Sequence, residues 1–316
     1  MEHTLLIENV TKRFATTLAV DDLSLAVPRG TIYGILGPNG AGKTTTLRMV
    51  MDIIVPDSGR VSLLGGDPHR DRAVLRRVGY LPEERGLYKK MKVIDAIVFF
   101  AELKGMDRRS AKSDVLAWLE RMDLGKWANA KVETLSRGMQ QKCQFIATVV
   151  FQPDLLILDE PHSGLDPVNQ EVLRDTIFQV RDEGRTVVLS THNMPQAEAM
   201  CESVCIIAGG RKIVDGRVRE LKRENRANRF VLEFDTPSPQ VERFMHSSPL
   251  FRNRSREGPL WHVELADGAD PRSVLREATG LDVQVARFEH VEPSLHEIFV
   301  EHVTSAARAG REVARA

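Results

Sequence analysis

Cysteine is scarce, net charge is zero and long apolar runs are missing, and each shortage removes a class of protein. Cys143, Cys201 and Cys205 are the only three cysteines, an odd and sparse set that fits a reducing compartment rather than a disulfide framework. Cys201 and Cys205 stand four residues apart, but thiols without neighbouring ligands read as buried small hydrophobes, not metal ligands. Lys plus Arg and Asp plus Glu each number 44, so composition supplies no general attraction to nucleic acid or to an anionic membrane. The apolar stretch from Val93 to Ala101 is interrupted by Asp95, and that from Phe145 to Phe151 is too short to span a bilayer. Met1-Glu2-His3-Thr4 lacks the basic start and apolar run of a signal peptide, so a cytosolic chain is expected. Internal repeats and low-complexity tracts are also missing.

What is present is a long alternation of strand and helix patterns. At 316 residues the chain accommodates one large domain or two of about 150 residues each. Leu5 to Val27 alternates apolar and polar residues, predicting short antiparallel strands that end at the turn Pro28-Arg29-Gly30. Thr31 to Leu36 reads as a buried strand, Thr44 to Met51 as a helix, and Arg60 to Leu64 as a strand between turns. From Lys92 to Leu124 the period becomes helical, which predicts a helical insert. The alternation then resumes with strands at Leu155 to Leu158, Thr186 to Ser190 and Val204 to Ala208, and helices at Asn169 to Arg181 and Pro195 to Cys201. Apolar runs without alternation imply strands covered on both faces, hence a mostly parallel sheet. The polar stretch Leu221 to Arg226 reads as a linker, and the segments after it predict a small α+β unit of βαββαβ type. Ser294 and Glu297 form a candidate capping box for a final helix.

The segment Gly37-Pro38-Asn39-Gly40-Ala41-Gly42-Lys43-Thr44-Thr45 fits the phosphate-loop pattern G-x-x-x-x-G-K-S/T and lies between a predicted strand and a predicted helix, as that pattern requires. Glycines let backbone N–H groups converge on phosphate oxygens at a helix N-terminus. Lys43 is then expected to reach the β- and γ-phosphates, and the Thr44 hydroxyl to hold Mg²⁺. Kinases, GTPases, helicases and transport ATPases all use such a loop, so later residues must discriminate. Leu155 to Leu158 runs straight into Asp159 and Glu160, placing one carboxylate to hold Mg²⁺ and the next to polarise an attacking water. Leu135-Ser136-Arg137-Gly138-Met139 opens a helix with a hydroxyl and a glycine. Ser163-Gly164-Leu165-Asp166 and His192 follow. No Asn-Lys-x-Asp tetrad is present to read guanine.

In this order the motifs of Leu5 to Arg217 resemble the ATP-binding cassette (ABC) ATPases. The resemblance implies an α/β fold, a P-loop NTPase core of ABC type with an antiparallel β subdomain and a helical subdomain, followed by the small α+β domain. The expected boundaries are 1–220, with the helical subdomain at about 85–150, and 228–316. It further implies that Gly37 to Thr45 is the Walker A loop, that Leu155 to Asp159 is the Walker B strand, and that Glu160 is the catalytic base. By the same likeness His192 is the switch histidine, Phe14 the aromatic stacked on adenine, and Glu83 the residue at the Q-loop position. Ser136 and Gly138 would complete the ATP site of a second subunit in a head-to-tail dimer, either a homodimer or a heterodimer with a similar cassette, with Asp166 at that interface.

Three residues depart from the family's usual pattern: Arg137 for a glycine and Met139 for a glutamine in the signature, and Glu83 for the Q-loop glutamine. The combination of Leu-Pro-Glu-Glu-Arg-Gly-Leu-Tyr, Leu-Ser-Arg-Gly-Met-Gln-Gln and an appended α+β tail is similar to ABC-2 type export ATPases. That likeness implies ATP and Mg²⁺ as cofactors, separate integral membrane permease subunits as partners, no nucleic acid, and a peripheral place on the cytoplasmic face of the membrane. A soluble ABC ATPase acting on ribosomes or DNA is the competing expectation. Such proteins carry paired cassettes or a long coiled-coil insert, and this chain has neither.

Overall fold

The computed structural model describes residues 3–84, 86–225 and 228–313. Its described residues form two compact units, Arg219–Glu301 and the remainder.

In the larger unit, β1 (His3–Phe14), β2 (Thr17–Pro28), β3 (Ile32–Leu36), α1 (Lys43–Val50), β4 (Ser58–Leu63) and β5 (Val78–Leu81) come first. Three helices follow, α2 (Val93–Leu103), α3 (Arg108–Arg121) and α4 (Arg137–Val149). Then come β6 (Leu155–Asp159), α5 (Pro167–Asp182), β7 (Thr186–Thr191), α6 (Met194–Met200), β8 (Ser203–Ala208) and β9 (Arg211–Arg217).

Every residue of β3, β6 and β7 is buried, which is why these strands read as unbroken apolar runs. They lie inside a six-stranded sheet of order β5-β6-β7-β3-β8-β9, parallel except for β9. Register aligns Leu36 with Thr191 and Asp159 with Ser190. The loops that leave β3, β6 and β7 therefore emerge side by side at the carboxyl edge of the sheet, where open parallel sheets bind ligands. A separate antiparallel sheet of order β2-β1-β4 packs its apolar alternation, Leu5, Ile7, Val20 and Leu25 among others, into one core with β3 and α1. Its first two strands are longer than the short strands expected, because register shifts along β1 let each run on for 12 residues.

Of the three helices, α3 buries a single stripe, whereas α4 is buried on most of its circumference from Gln141 to Val149. The α3 stripe is Ala111, Val115 and Leu119, spaced four apart, and the Asp107 side chain caps its start by accepting from the Arg109 and Ser110 N–H groups.

The smaller unit opens on α7 (Val218–Glu224), so the stretch from Leu221 expected as a linker is helical up to Glu224; Arg226 lies outside the described residues. Basic residues Lys222 and Arg223 in its last turn favour the C-terminal end of the dipole. Then follow β10 (Arg229–Phe234), α8 (Pro239–Ser247), β11 (Phe251–Glu257), β12 (Leu260–Leu265), α9 (Pro271–Thr279), β13 (Val285–His290) and α10 (Leu295–Val313), of which the part up to Glu301 belongs to this unit. This is the βαββαβ order, closed as an antiparallel sheet β11-β12-β10-β13. Alternate residues Phe230, Leu232, Phe234 and Trp261, Val263, Leu265 face Val241, Met245, Val274 and Ala278 of the two helices in one core. The capping box closes as expected: the Glu297 N–H donates to Ser294 Oγ at 3.2 Å, and the Ser294 N–H donates to Glu297 Oε2 at 2.8 Å.

Candidate functional site

β3 hands the chain to the phosphate loop through glycines at positive φ, 151° at Gly37, 79° at Gly40 and 105° at Gly42. A Cβ on Gly37 would collide with the Ile207 carbonyl oxygen, and one on Gly42 with that of Ala19. Only glycine lets the loop pass this close to the backbones of β2 and β8. Gly42 caps α1 without any side-chain bond, so the first N–H groups of the helix and its positive dipole end remain available to an anion.

A cavity of about 600 Å³ opens here, lined by Asn39, Gly40, Ala41, Gly42, Lys43, Thr44 and Thr45 of the loop, with Glu83, Glu160, Ser163 and His192 opposite and Thr17, Leu18, Ala19 and Gly209 at its sides. Gly37 and Pro38 do not line it. Their carbonyl oxygens instead accept from Lys43 Nζ at 2.8 and 3.3 Å. Burial holds the Lys43 ammonium below the ordinary lysine range, an effect opposed by the carboxylates of Glu160, Asp159 and Glu83. The nearest is Glu160, whose Oε1 lies 3.8 Å from Nζ.

Asp159 and Glu160 leave β6 in opposite environments. Asp159 is fully buried. One of its oxygens accepts from the Ser190 hydroxyl, while Oδ2 has no hydrogen-bond partner among the described residues. Glu160 turns into the left-handed region at φ 48°, a conformation that costs a non-glycine residue about 1–2 kcal/mol. That turn aims its carboxylate into the cavity, where Oε1 accepts from the His192 backbone N–H at 3.0 Å and lies 2.8 Å from His192 Nδ1. Since a carboxylate can only accept, Nδ1 carries the proton. Thr191 Oγ1 donates to Oε2 at 3.2 Å. Four atoms, Lys43 Nζ, His192 N and Nδ1 and Thr191 Oγ1, thus surround the Glu160 carboxylate.

Other expected residues stand apart from this cavity. Ser136 caps α4, its Oγ accepting from the Met139 N–H at 3.3 Å. Gly138 is the second residue of the helix, facing Leu165, and neither residue lines the cavity of its own chain. Asp166 caps α5 by accepting from the Asn169 N–H at 3.0 Å, bonds that hold its exposed carboxyl below the usual range. Phe14 is 44 % exposed at the end of β1, beside Thr17 across the hairpin. It does not line the cavity, and Lys12 Nζ lies 5.6 Å from its ring centre.

A family model described as ABC transporter matches residues 20–163, and one described as ATP-binding protein DrrA1-3-like, C-terminal domain, matches residues 216–303. The ABC transporter ATP-binding protein YhaQ of Bacillus subtilis is 40 % identical over 299 residues, covering 95 % of this chain and 98 % of its own. This chain belongs to the ABC transporter ATP-binding proteins. Nod factor export ATP-binding protein I of Burkholderia lata is 35 % identical over 293 residues, covering 92 % of this chain and 94 % of that protein. Among solved structures, an ATP-binding subunit of an ABC transporter superposes with a TM-score of 0.66 at 26 % identity, over 70 % of this chain and 92 % of that one.

As a member of this family the chain is an ATP-binding, ATP-hydrolysing transporter subunit. Its two departures in the signature leave the helix start intact, for Arg137 is exposed and the Met139 side chain is not needed for the cap. Sequence reasoning missed several residues of this ABC ATP-binding protein. Ser190 and Thr191 hold the two acids, and their signal was only a polar pair ending an apolar strand. Buried Gln141 and Gln144, three apart on α4, bond to the loops beside the cavity; the helix also buries Lys142 and Thr148, so no pattern set the pair apart. His162, two residues past Glu160, is buried with Nε2 unpartnered among the described residues, and burial pushes its imidazole down to about 4.

Proposed function

We propose that this subunit drives an exporter by ATP-dependent closure of two cassettes, two copies of this chain or one copy with a similar partner. The observation that carries the reading is the convergence of Lys43, Glu160 and His192 on one cavity beside the phosphate loop. The glycine loop and Lys43 bind the phosphates of ATP, and Phe14 stacks on the adenine at the cavity's edge. Glu160 takes the proton of the attacking water and His192 steadies the γ-phosphate, aligned through Oε1. Ser136 and Gly138 lie outside their own chain's cavity, which suits donors that reach the γ-phosphate of the opposite subunit, with Asp166 beside that contact.

The orphaned Oδ2 of Asp159, the Thr44 hydroxyl and the Glu83 carboxylate make a hard-oxygen set that fits Mg²⁺. When bound, Mg²⁺ supplies charge neutralisation at the β- and γ-oxygens.

Among the described residues no helix is long and apolar enough to cross a membrane, so transport needs integral membrane permease subunits, and the cassette sits peripherally on the cytoplasmic face. The helical insert and the Glu83 loop form their docking surface. An aromatic cluster supports this: Tyr88, half exposed, stacks on Phe100 at 6.0 Å and meets Phe99 edge-on at 5.5 Å, and Leu103 is exposed on the same helix as those two. Export as the direction follows the relatives' own function.

The full chain, purified from native membranes with its companions, tests the proposal. A multi-spanning protein should co-purify and raise phosphate release from MgATP. Recovery with ribosomes or DNA, and ATP turnover indifferent to any membrane protein, would reject it.

A further inference from the structure

Gln144 is more than nine-tenths buried in the middle of α4. Its Nε2 donates to the carbonyl oxygens of Glu84 at 3.1 Å and Pro82 at 3.4 Å, the two residues that flank Glu83. The amide cannot be reversed, because both neighbours are acceptors and only the NH₂ edge can face them. That orientation leaves Oε1 buried without a hydrogen-bond partner among the described residues. An apolar side chain of the same length would fill the space without the orphan oxygen, and burying such an atom is unfavourable. What the glutamine adds is the pair of bonds to the Glu83 loop. One turn earlier, Gln141 Nε2 donates to the Pro161 carbonyl at 3.2 Å, next to Glu160. The same helix begins at Ser136.

We propose that Gln144 is a positioning residue of the ATPase reaction, clamping the Glu83 loop to the helix that presents Ser136. A rigid helix transmits displacement along its axis, so Glu83 in one cavity and Ser136 offered to the opposite one shift together. Gln141 ties the turn after Glu160 to the same rod. The inference rests on the roles proposed above for Glu83 and Ser136.

Gln144→Met keeps the shape and removes both donors. For the purified full chain, ATP affinity stays within about twofold, since the Walker A loop is untouched, the melting temperature shifts little, and kcat for phosphate release falls about tenfold or more. Gln144→Lys restores a donor. Lys104 Nζ already donates to two such carbonyls, of Leu75 and Val78, at 2.8 and 2.7 Å in this protein. This variant is therefore expected to regain most of the lost turnover. A Met variant with full kcat, a Lys variant no better than Met, or losses of kcat, ATP affinity and melting temperature in parallel would each overturn the assignment. Wild-type chain without any ATP turnover would remove the underlying ATPase reading instead.

Discussion

Replacing Glu160 by glutamine separates chemistry from architecture in this site. The carboxylate accepts from the His192 N–H, from His192 Nδ1 and from the Thr191 hydroxyl. A glutamine amide keeps an oxygen for His192 and can donate its NH₂ to Thr191 Oγ1, so the fold loses about 1 kcal/mol or less, the difference between charged and neutral hydrogen bonds. Basicity vanishes. A positioned general base contributes about 10²–10⁴ in rate, roughly 3–5 kcal/mol of barrier, and kcat for phosphate release should fall by that factor. Binding should move the other way. The cavity loses one negative charge beside Lys43, and since two like charges about 8 Å apart at an effective dielectric of about 20 repel by about 2 kcal/mol, a polyanion is favoured by roughly that amount. ATP is then retained, and the ATP-bound pair of cassettes accumulates. Phosphate release measured against time, together with the mass of the ATP-bound species by light scattering, reads both effects. Turnover within about tenfold of wild type, or a variant that binds ATP more weakly, would refute the assignment of Glu160 as the base.

Three further outcomes follow from the local geometry. Gly42→Ala forces a side chain into φ 105° against the Ala19 carbonyl; ATP binding should be lost and unfolding in urea should show a deficit of about 2 kcal/mol or more. Lys104→Met strips the ammonium from the Leu75 and Val78 carbonyls and should cost about 1–3 kcal/mol while leaving ATP affinity unchanged in a nucleotide titration. His162 titrates at 6.5 when unfolded and at about 4 when folded, so between these values the unfolded chain binds more protons and stability falls with falling pH. From pH near 7.5 down to about 5 its share of the loss is about 2 kcal/mol, and urea melts of His162→Phe should show a pH dependence flatter by that amount; an unchanged slope would place the histidine in a polar setting.

Much of the fold was legible because its strands differ so sharply in burial. β3, β6 and β7 are covered on both faces and announce themselves as apolar runs, and α3 buries a single stripe at helical spacing. Elements at the edges were harder to see. β11 lies at the sheet edge beside β12 and exposes Arg252, Arg254 and Arg256 along its length, so it shows neither alternation nor an apolar run. Charge on such a strand guards an open sheet edge against unwanted pairing, and the same charge hides the strand from pattern reading. Leu221 to Glu224, the end of α7, reads as linker for a related reason: the helix's seven residues include five charged ones, with burial limited to Val218 and Leu221.

The site divides along another line. The phosphate loop was legible because its chemistry demands specific residues in consecutive order, and glycine at positive φ pressed against Ile207 and Ala19 leaves no substitute. The supporting residues obey a weaker rule. Ser190 and Thr191 touch the two acids only because β6 and β7 lie in parallel register with Asp159 opposite Ser190, a pairing between positions 31 apart that no local pattern encodes. Gln144 reaches the Glu83 loop across a separation of about sixty residues. Sequence order therefore identifies the groups that meet ATP, whereas the groups that hold them in place become visible only once the strands are paired and the helices packed. The polar residues most worth testing for control of hydrolysis are accordingly those buried on apolar elements without a motif of their own, because burial there is unfavourable unless their bonds repay it in position.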